Sequence, residues 1–284
     1  MRKIIPFILL SLLFAACSLK KSDANQKTIY VTITPLKAII EEITCGDFSV
    51  EVIVPDGASP EIYEPTAKQL AKLNEARLIF STGLINFERS IVGNLDNSDS
   101  FFELHKGIEL IEGSCSHGHH HHSHGVDPHV WTSPKTLRTM VVNARDVIAA
   151  QFPDKSEYIA RADELLKRID ELDAYCQEKI SSNALRAMMI YHPAYTYYAH
   201  DYGIEQIAIE HDGKEPTPRQ LATLIDRGRN LGVKVILYQP QYNVDKVMPV
   251  ANGVGAECIV TNPLAGDILG EIRRVTDIIC GDYE

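Results

Sequence analysis

The sequence predicts an α/β protein in which two doubly wound lobes are joined by a long rigid helix. Three observations predict it. Between residues 28 and 112, β-branched apolar runs alternate with helical patterns, the rhythm of a parallel sheet flanked by helices on both faces. The same rhythm restarts near residue 186 and continues to the C-terminus. Between the two lies a stretch, 154–182, whose apolar residues recur every three or four positions, as on a helix with one buried stripe.

The elements follow in order. Residues 28–34 (TIYVTIT) are alternating and β-branched and predict a strand. Pro35 opens a helix to about Thr44, since proline suits the first helical position. A second strand over 48–54 ends at Pro55, Asp56 and Gly57, and the loop ASPEIYEPT follows. Thr66 is placed to cap a helix to about Ala76. Residues 77–82 predict a third strand, with a helix from about Leu84 and short strand segments over 101–112. Pro134 begins a helix to about Gln151, and Asp154 is placed to cap the next. That next helix carries Ile159, Ala162, Leu165, Leu166, Ile169, Leu172, Cys176 and Ile180 on one stripe, and would be about 40 Å long, a stiff strut between lobes. In the second lobe the predicted strands are 186–191, 204–210, 234–238 and 258–261. Helices are expected from Pro193, up to Leu231, over 244–253, and finally to Cys280.

The resulting organisation is a targeting segment over 1–16, a tether over 17–26 and an N-terminal lobe over 27–153 that contains a histidine-rich loop at 114–128. The linking helix takes 154–182 and a C-terminal lobe takes 183–284. The targeting segment has Arg2 and Lys3 ahead of an apolar run too short to span a bilayer. Ala15 and Ala16 then precede Cys17, which resembles a bacterial lipoprotein signal that leaves Cys17 as a lipidated N-terminus. An extracytoplasmic, lipid-anchored protein is expected.

Composition narrows the function classes. The formal net charge is −10 and no basic stripe is present. Nucleic acid is therefore not an expected partner, because phosphate neutralisation needs clustered Lys and Arg. Five cysteines follow Cys17 without any CxxC spacing, which argues against a structural zinc knuckle. Cys258 and Cys280 are a candidate disulfide pair, and Cys115 a candidate soft ligand.

The chemistry concentrates in HGHHHHSHGVDPHVWTSP. His117, His119, His120, His121, His122 and His124 lie in a polar, glycine-dotted run. The run has no helical or strand period and predicts a mobile loop holding metal weakly at several sites. His129 has a different setting, between Pro128 and the only tryptophan, and reads as a fixed ligand. His192 directly follows a predicted strand, and Glu61 lies in a loop beyond the carboxyl end of another. Ligands of doubly wound sheets bind at those ends. Facing lobes would therefore present Glu61 and His129 from one side and His192 from the other. Imidazole and carboxylate suit zinc. His200 and His211 read as polar surface residues, and Tyr63, Tyr191 and Tyr195 as packing or wall residues.

The segments GASPEIYEP, RLIFSTGLINFE, the histidine loop, DPHVWTSP, YHPAYTYYAHDYG, DGKEPTP and YQPQYN occur in that order. Together they resemble the metal-binding lipoproteins of ABC-type zinc and manganese importers, in particular the zinc branch with a histidine-rich loop. The resemblance covers nearly the whole mature chain. It implies a binding protein, not an enzyme, that acts as a monomer and hands its ion to an ABC-type permease. It also implies the ligand positions Glu61, His129, His192 and Asn262, the last as a weak fourth ligand or a corner left to water. The zinc branch usually has His at the first position and Asp at the last, where this chain has Glu61 and Asn262. His192 and the histidine run favour zinc, with manganese or iron as alternatives. A zinc hydrolase is a poorer reading, since HExxH, GxSxG and a P-loop are absent from the sequence. A surface adhesin is the remaining rival.

Overall fold

The computed structural model describes residues 27–96, 98–113, 125–210 and 214–282. Cys17, Cys115, His211 and the histidine run from His117 to His124 lie outside the described residues. No described helix is long and apolar enough to cross a membrane.

The first sheet is built from β1 (Thr28–Val31), β2 (Ser49–Val52), β3 (Leu78–Ser81) and β4 (Phe101–Glu103) in the order β2-β1-β3-β4. The second uses β5 (Ala187–Ile190), β6 (Glu205–Ala208), β7 (Val235–Tyr238) and β8 (Glu257–Val260) in the order β6-β5-β7-β8. Every pairing in both is parallel. Each order reverses direction once, and the crevice at such a reversal, beyond the strands' carboxyl ends, is where doubly wound sheets bind ligands. The central strands β3 and β5 are buried along their whole length, as their continuous apolar runs require.

Helices α1 (Thr34–Ile43), α2 (Ala67–Leu73) and α3 (Asn86–Gly93) serve the first sheet. Thr66 caps α2 in a capping box with Gln69. Then come α4 (Pro134–Gln151) and α5 (Ser156–Ser182), followed in the second lobe by α6 (Thr196–Asp201), α7 (Pro218–Asn230), α8 (Met248–Val254) and α9 (Ile268–Ile279).

Helix α5 has 27 residues, hence about 40 Å. It runs antiparallel to α4, as the ion pairs Arg145–Asp163 and Arg138–Asp170 show. Its start is tied to the first lobe, where Lys155 and Tyr158 both bond Asp47, and Arg168 pairs with Glu42. Its end is tied to the second lobe through Tyr175–Asp277, Cys176–Thr276 and Lys179–Asp282. One apolar core runs without a break from Ile29 and Phe80 of the first sheet, through Leu165 and Ile169 of α5, to Tyr198 and Val275 of the second lobe. A second, smaller core covers the other face of the second sheet around Met189, Ile236 and Val250.

Several expectations need correction. Asp154 does not cap α5. The helix begins at Ser156 behind Lys155, without a side-chain cap, because Lys155 is drawn to Asp47 and Glu157. Ile159 is 39% exposed, and Tyr158 takes its place on the buried stripe. Residues 101–112 form one three-residue strand; beyond it Glu112 only bridges Val126. The helix expected from Pro193 starts at Thr196, since the chain first turns sharply with Ala194 N–H donating to His192 C=O. Cys258 and Cys280 are both free thiols. Cys258 sits on β8 beside Met248, and Cys280 caps the far end of α9.

Candidate metal centre

The strands' carboxyl ends supply most of the site. The loop after β2 forms a single 3-10 turn, Pro60–Ile62, that carries Glu61. The chain leaving β5 turns at once and holds His192. His129 comes from the approach to α4, ahead of a 3-10 turn at Val130–Thr132. These three residues, far apart in sequence, form a group able to hold one ion.

The donor spacing decides what fits. His192 Nε2 lies 3.2 Å from Glu61 Oε1, His129 Nε2 lies 3.5 Å from the same oxygen, and the two Nε2 atoms are 3.4 Å apart. Donors at 2.0–2.1 Å from a tetrahedral ion are separated by about 3.3–3.4 Å. The triangle therefore matches one face of a zinc tetrahedron and leaves a fourth corner open. The cavity there, about 30 Å³, has room for an ion and for water at the open corner.

Each imidazole is held from behind by a buried carboxylate. Asp127 Oδ1 accepts from His129 Nδ1 at 2.9 Å and from its backbone N–H at 2.9 Å. Glu210 Oε1 accepts from His192 Nδ1 at 2.8 Å. A carboxylate only accepts, so Nδ1 of each ring carries a proton and Nε2 turns its lone pair inward. Two lone pairs and a carboxylate then converge, an arrangement that a cation or a proton must neutralise. Burial works against charge on His192, but hydrogen bonds to Glu210 and Glu61 override it and raise the ring to about 9. Burial likewise opposes charge on Glu61, yet the hydrogen bond from His192 and the adjoining imidazoles hold its carboxyl below the usual range.

Packing fixes the rest. Trp131 stands 5.3 Å from the His129 ring, centroid to centroid, and Tyr242 stacks on His192 at 5.8 Å. Gln239, just past β7, clamps the His192 backbone with Nε2 donating to its C=O at 2.8 Å. His129 is buried, whereas the Glu61 side chain is 33% exposed, which makes Glu61 the solvent-facing member of the group. Beside it Ile62 is 83% exposed.

Asn262 lies elsewhere. It lines the neighbouring cavity with Thr34, Asp56 and Gln241, and its Oδ1 accepts from Leu264 N–H at 3.1 Å. His200 is a surface residue with a side chain 67% exposed. Tyr195 is fully buried with its hydroxyl on Thr261, and Tyr63 bonds Gln69. Sequence reasoning missed Asp127 and Glu210 as partners of the two histidines. The i,i+2 spacing in DPH was a usable signal for the first; Glu210 had none, because only the β5–β6 pairing brings it to His192.

Removing the orienting charge tests this geometry. Asp127→Asn or Glu210→Gln should each weaken metal affinity by about 10–100-fold, read by competition with a chromophoric chelator. An unchanged affinity in both variants would show that the rings are positioned by packing alone.

Comparisons with known proteins converge. The family model described as ZnuA, zinc-uptake complex component A, periplasmic, matches residues 29–274. The zinc-binding lipoprotein AdcA of Streptococcus pneumoniae is 29% identical over 269 residues, covering 90% of this chain and 54% of AdcA. The chain thus spans about half the length of that relative. The high-affinity zinc uptake system protein ZnuA of Bacillus subtilis is 29% identical over 276 residues, covering 90% of this chain and 86% of the relative. A crystal structure of ZnuA superposes with a TM-score of 0.80 at 27% identity, covering 89% of this chain and 98% of that one.

Proposed function

The chain belongs to the family of zinc-uptake complex component A, and from that premise we propose that it binds zinc outside the cytoplasm and delivers it to an ABC-type permease. The observation that carries this is the triangle of Glu61, His129 and His192, with edges of 3.2–3.5 Å. Two imidazoles and one carboxylate at tetrahedral spacing favour zinc over manganese or iron, which take more oxygen donors. The family is one of uptake, so the open corner is read as a place for water, Asn262 being engaged in the neighbouring cavity. Relatives named as zinc-binding and zinc-uptake proteins support the same ion.

The remaining parts fit around that site. Cys17 is proposed as the lipid anchor that keeps the protein at the membrane, where the permease is. The histidines from His117 to His124 are proposed as an auxiliary zinc collector. Deleting residues 116–125 should leave the tight site intact; loss of all zinc binding would contradict that division.

Calorimetry on the metal-free protein tests the assignment. Zinc should bind more tightly than manganese, and the reverse order would overturn the choice of ion. The pH dependence has a definite sign. A ligating imidazole must be neutral, and the His192 ring in the metal-free site titrates near 9. Below that pH zinc displaces a proton, so apparent affinity should fall about tenfold per pH unit from 8 to 6. Heats measured in two buffers should give about one proton released per zinc at neutral pH.

A further inference from the structure

The stem of the histidine loop contains an irregularity. Glu112 and Val126 form an antiparallel bridge, with Gly113 N–H donating to Gly125 C=O at 2.8 Å on one side and Asp127 N–H donating to Ile111 C=O at 2.9 Å on the other. In an antiparallel ladder the opposed residues next to such a non-hydrogen-bonded pair, here Ile111 and Asp127, ordinarily exchange both bonds. Ile111 N–H should therefore donate to Asp127 C=O. Instead the Tyr197 hydroxyl occupies that rung: it accepts from Ile111 N–H at 3.4 Å and donates to Asp127 C=O at 2.9 Å.

Tyr197 belongs to the second lobe, on α6, five residues after His192. Its neighbour Thr196 bonds the Asp127 carboxylate. Gln206 of β6 braces this turn, accepting from Tyr195 N–H at 2.8 Å and donating to the Thr196 hydroxyl at 2.9 Å. Asp127 is thus held at its carbonyl and its carboxylate by one turn of α6, and its Oδ1 in turn holds His129. The Tyr197 side chain is 1% exposed. Burial, above all, pushes its hydroxyl up to about 12, so it stays a proton donor.

We propose that Tyr197 is a positioning residue that sets the distance between His129 and His192 by bolting the His129 loop of one lobe onto the helix that follows His192 in the other. The donor triangle then keeps its tetrahedral edge before any ion arrives. Preorganised donors lose less on binding and discriminate against ions that want a wider or six-coordinate shell. The inference rests on the zinc-binding reading above and adds to it a determinant of affinity and coordination geometry.

The test compares wild type with Tyr197→Phe and Tyr198→Phe. Tyr198 is the adjacent buried tyrosine, and its hydroxyl bonds Thr276 at 2.7 Å on α9, away from the metal ligands. Each variant loses one buried hydroxyl, so both should melt at a lower temperature. Only Tyr197→Phe should weaken zinc, by about tenfold, and lower the intense visible bands of the cobalt(II)-loaded protein as the site relaxes from tetrahedral geometry. Wild-type zinc affinity and an unaltered cobalt spectrum in Tyr197→Phe would overturn the proposal. So would an equal loss of zinc affinity in Tyr198→Phe, which would mark a general effect of stability. Wild type binding zinc no better than His129→Ala would overturn the zinc reading itself and this inference with it.

Discussion

His129→Ala should lower zinc affinity by about a hundred- to thousandfold and abolish the rise in melting temperature that zinc gives the wild type. The magnitude follows from sharing the binding free energy of a structural zinc site, about 10–16 kcal/mol, among its ligands, which leaves roughly 3 kcal/mol for each. The loss should stand at the upper end here, for two reasons. Among the described residues three protein donors converge in the group, so each carries a larger share than one of four would. The substitution also leaves the Asp127 carboxylate, 4% exposed, without the ring it orients. In the wild type, zinc at a hundred times its dissociation constant adds about 2.7 kcal/mol to stability, roughly 5–10 °C in melting temperature for a chain of this size. Melts with and without zinc on both proteins check this. A variant that keeps the zinc-dependent shift would remove His129 from the site.

Trp131→Ala should be the most destabilising of the substitutions near the centre. The indole is 1% exposed, and its Nε1 donates to Pro263 C=O at 2.8 Å in the loop after β8. One side chain thus fills the core beside His129 and ties the approach to α4 to the second lobe. Truncating a buried tryptophan costs about 3–5 kcal/mol, or roughly 8–15 °C. Zinc affinity should fall as well, since the ring that backs His129 is gone. Trp131→Phe keeps most of the volume and loses the bond to Pro263, at about 1–2 kcal/mol. A fall in melting temperature for alanine no larger than for phenylalanine would show that the hydrogen bond, not the packing, dominates.

Much of this architecture was legible from periodicity. The helix from Pro134 to Gln151 is found with those bounds, because a proline opens it and an apolar stripe runs through it. The strands are shorter than their β-branched runs, since pairing stops where the chain turns away to build the site. Thr34, Thr82 and Thr261 lie beyond the paired residues of their strands. The start of α5 was misread because Asp154 has the local chemistry of a cap, while the long-range pull of Asp47 on Lys155 is invisible in a linear reading. The three metal-seeking residues were legible because each flanks a strand end or a helix start. Their carboxylate partners were not, because the contact between Glu210 and His192 exists only once β5 and β6 lie side by side. Asn262 could be numbered but not oriented: the turn that engages its amide oxygen with Leu264 is a property of the folded loop.

The apolar interior shared by both sheets and α5 makes the halves thermodynamically inseparable. Cut from its partner, either half would bare a face of Leu165, Ile169 and Leu172 or of Tyr198 and Val275 to water, and would be expected to clump with its own kind instead of folding. Melting should accordingly be a single cooperative event, as befits one solid body and not two jaws of a wide-swinging clamshell.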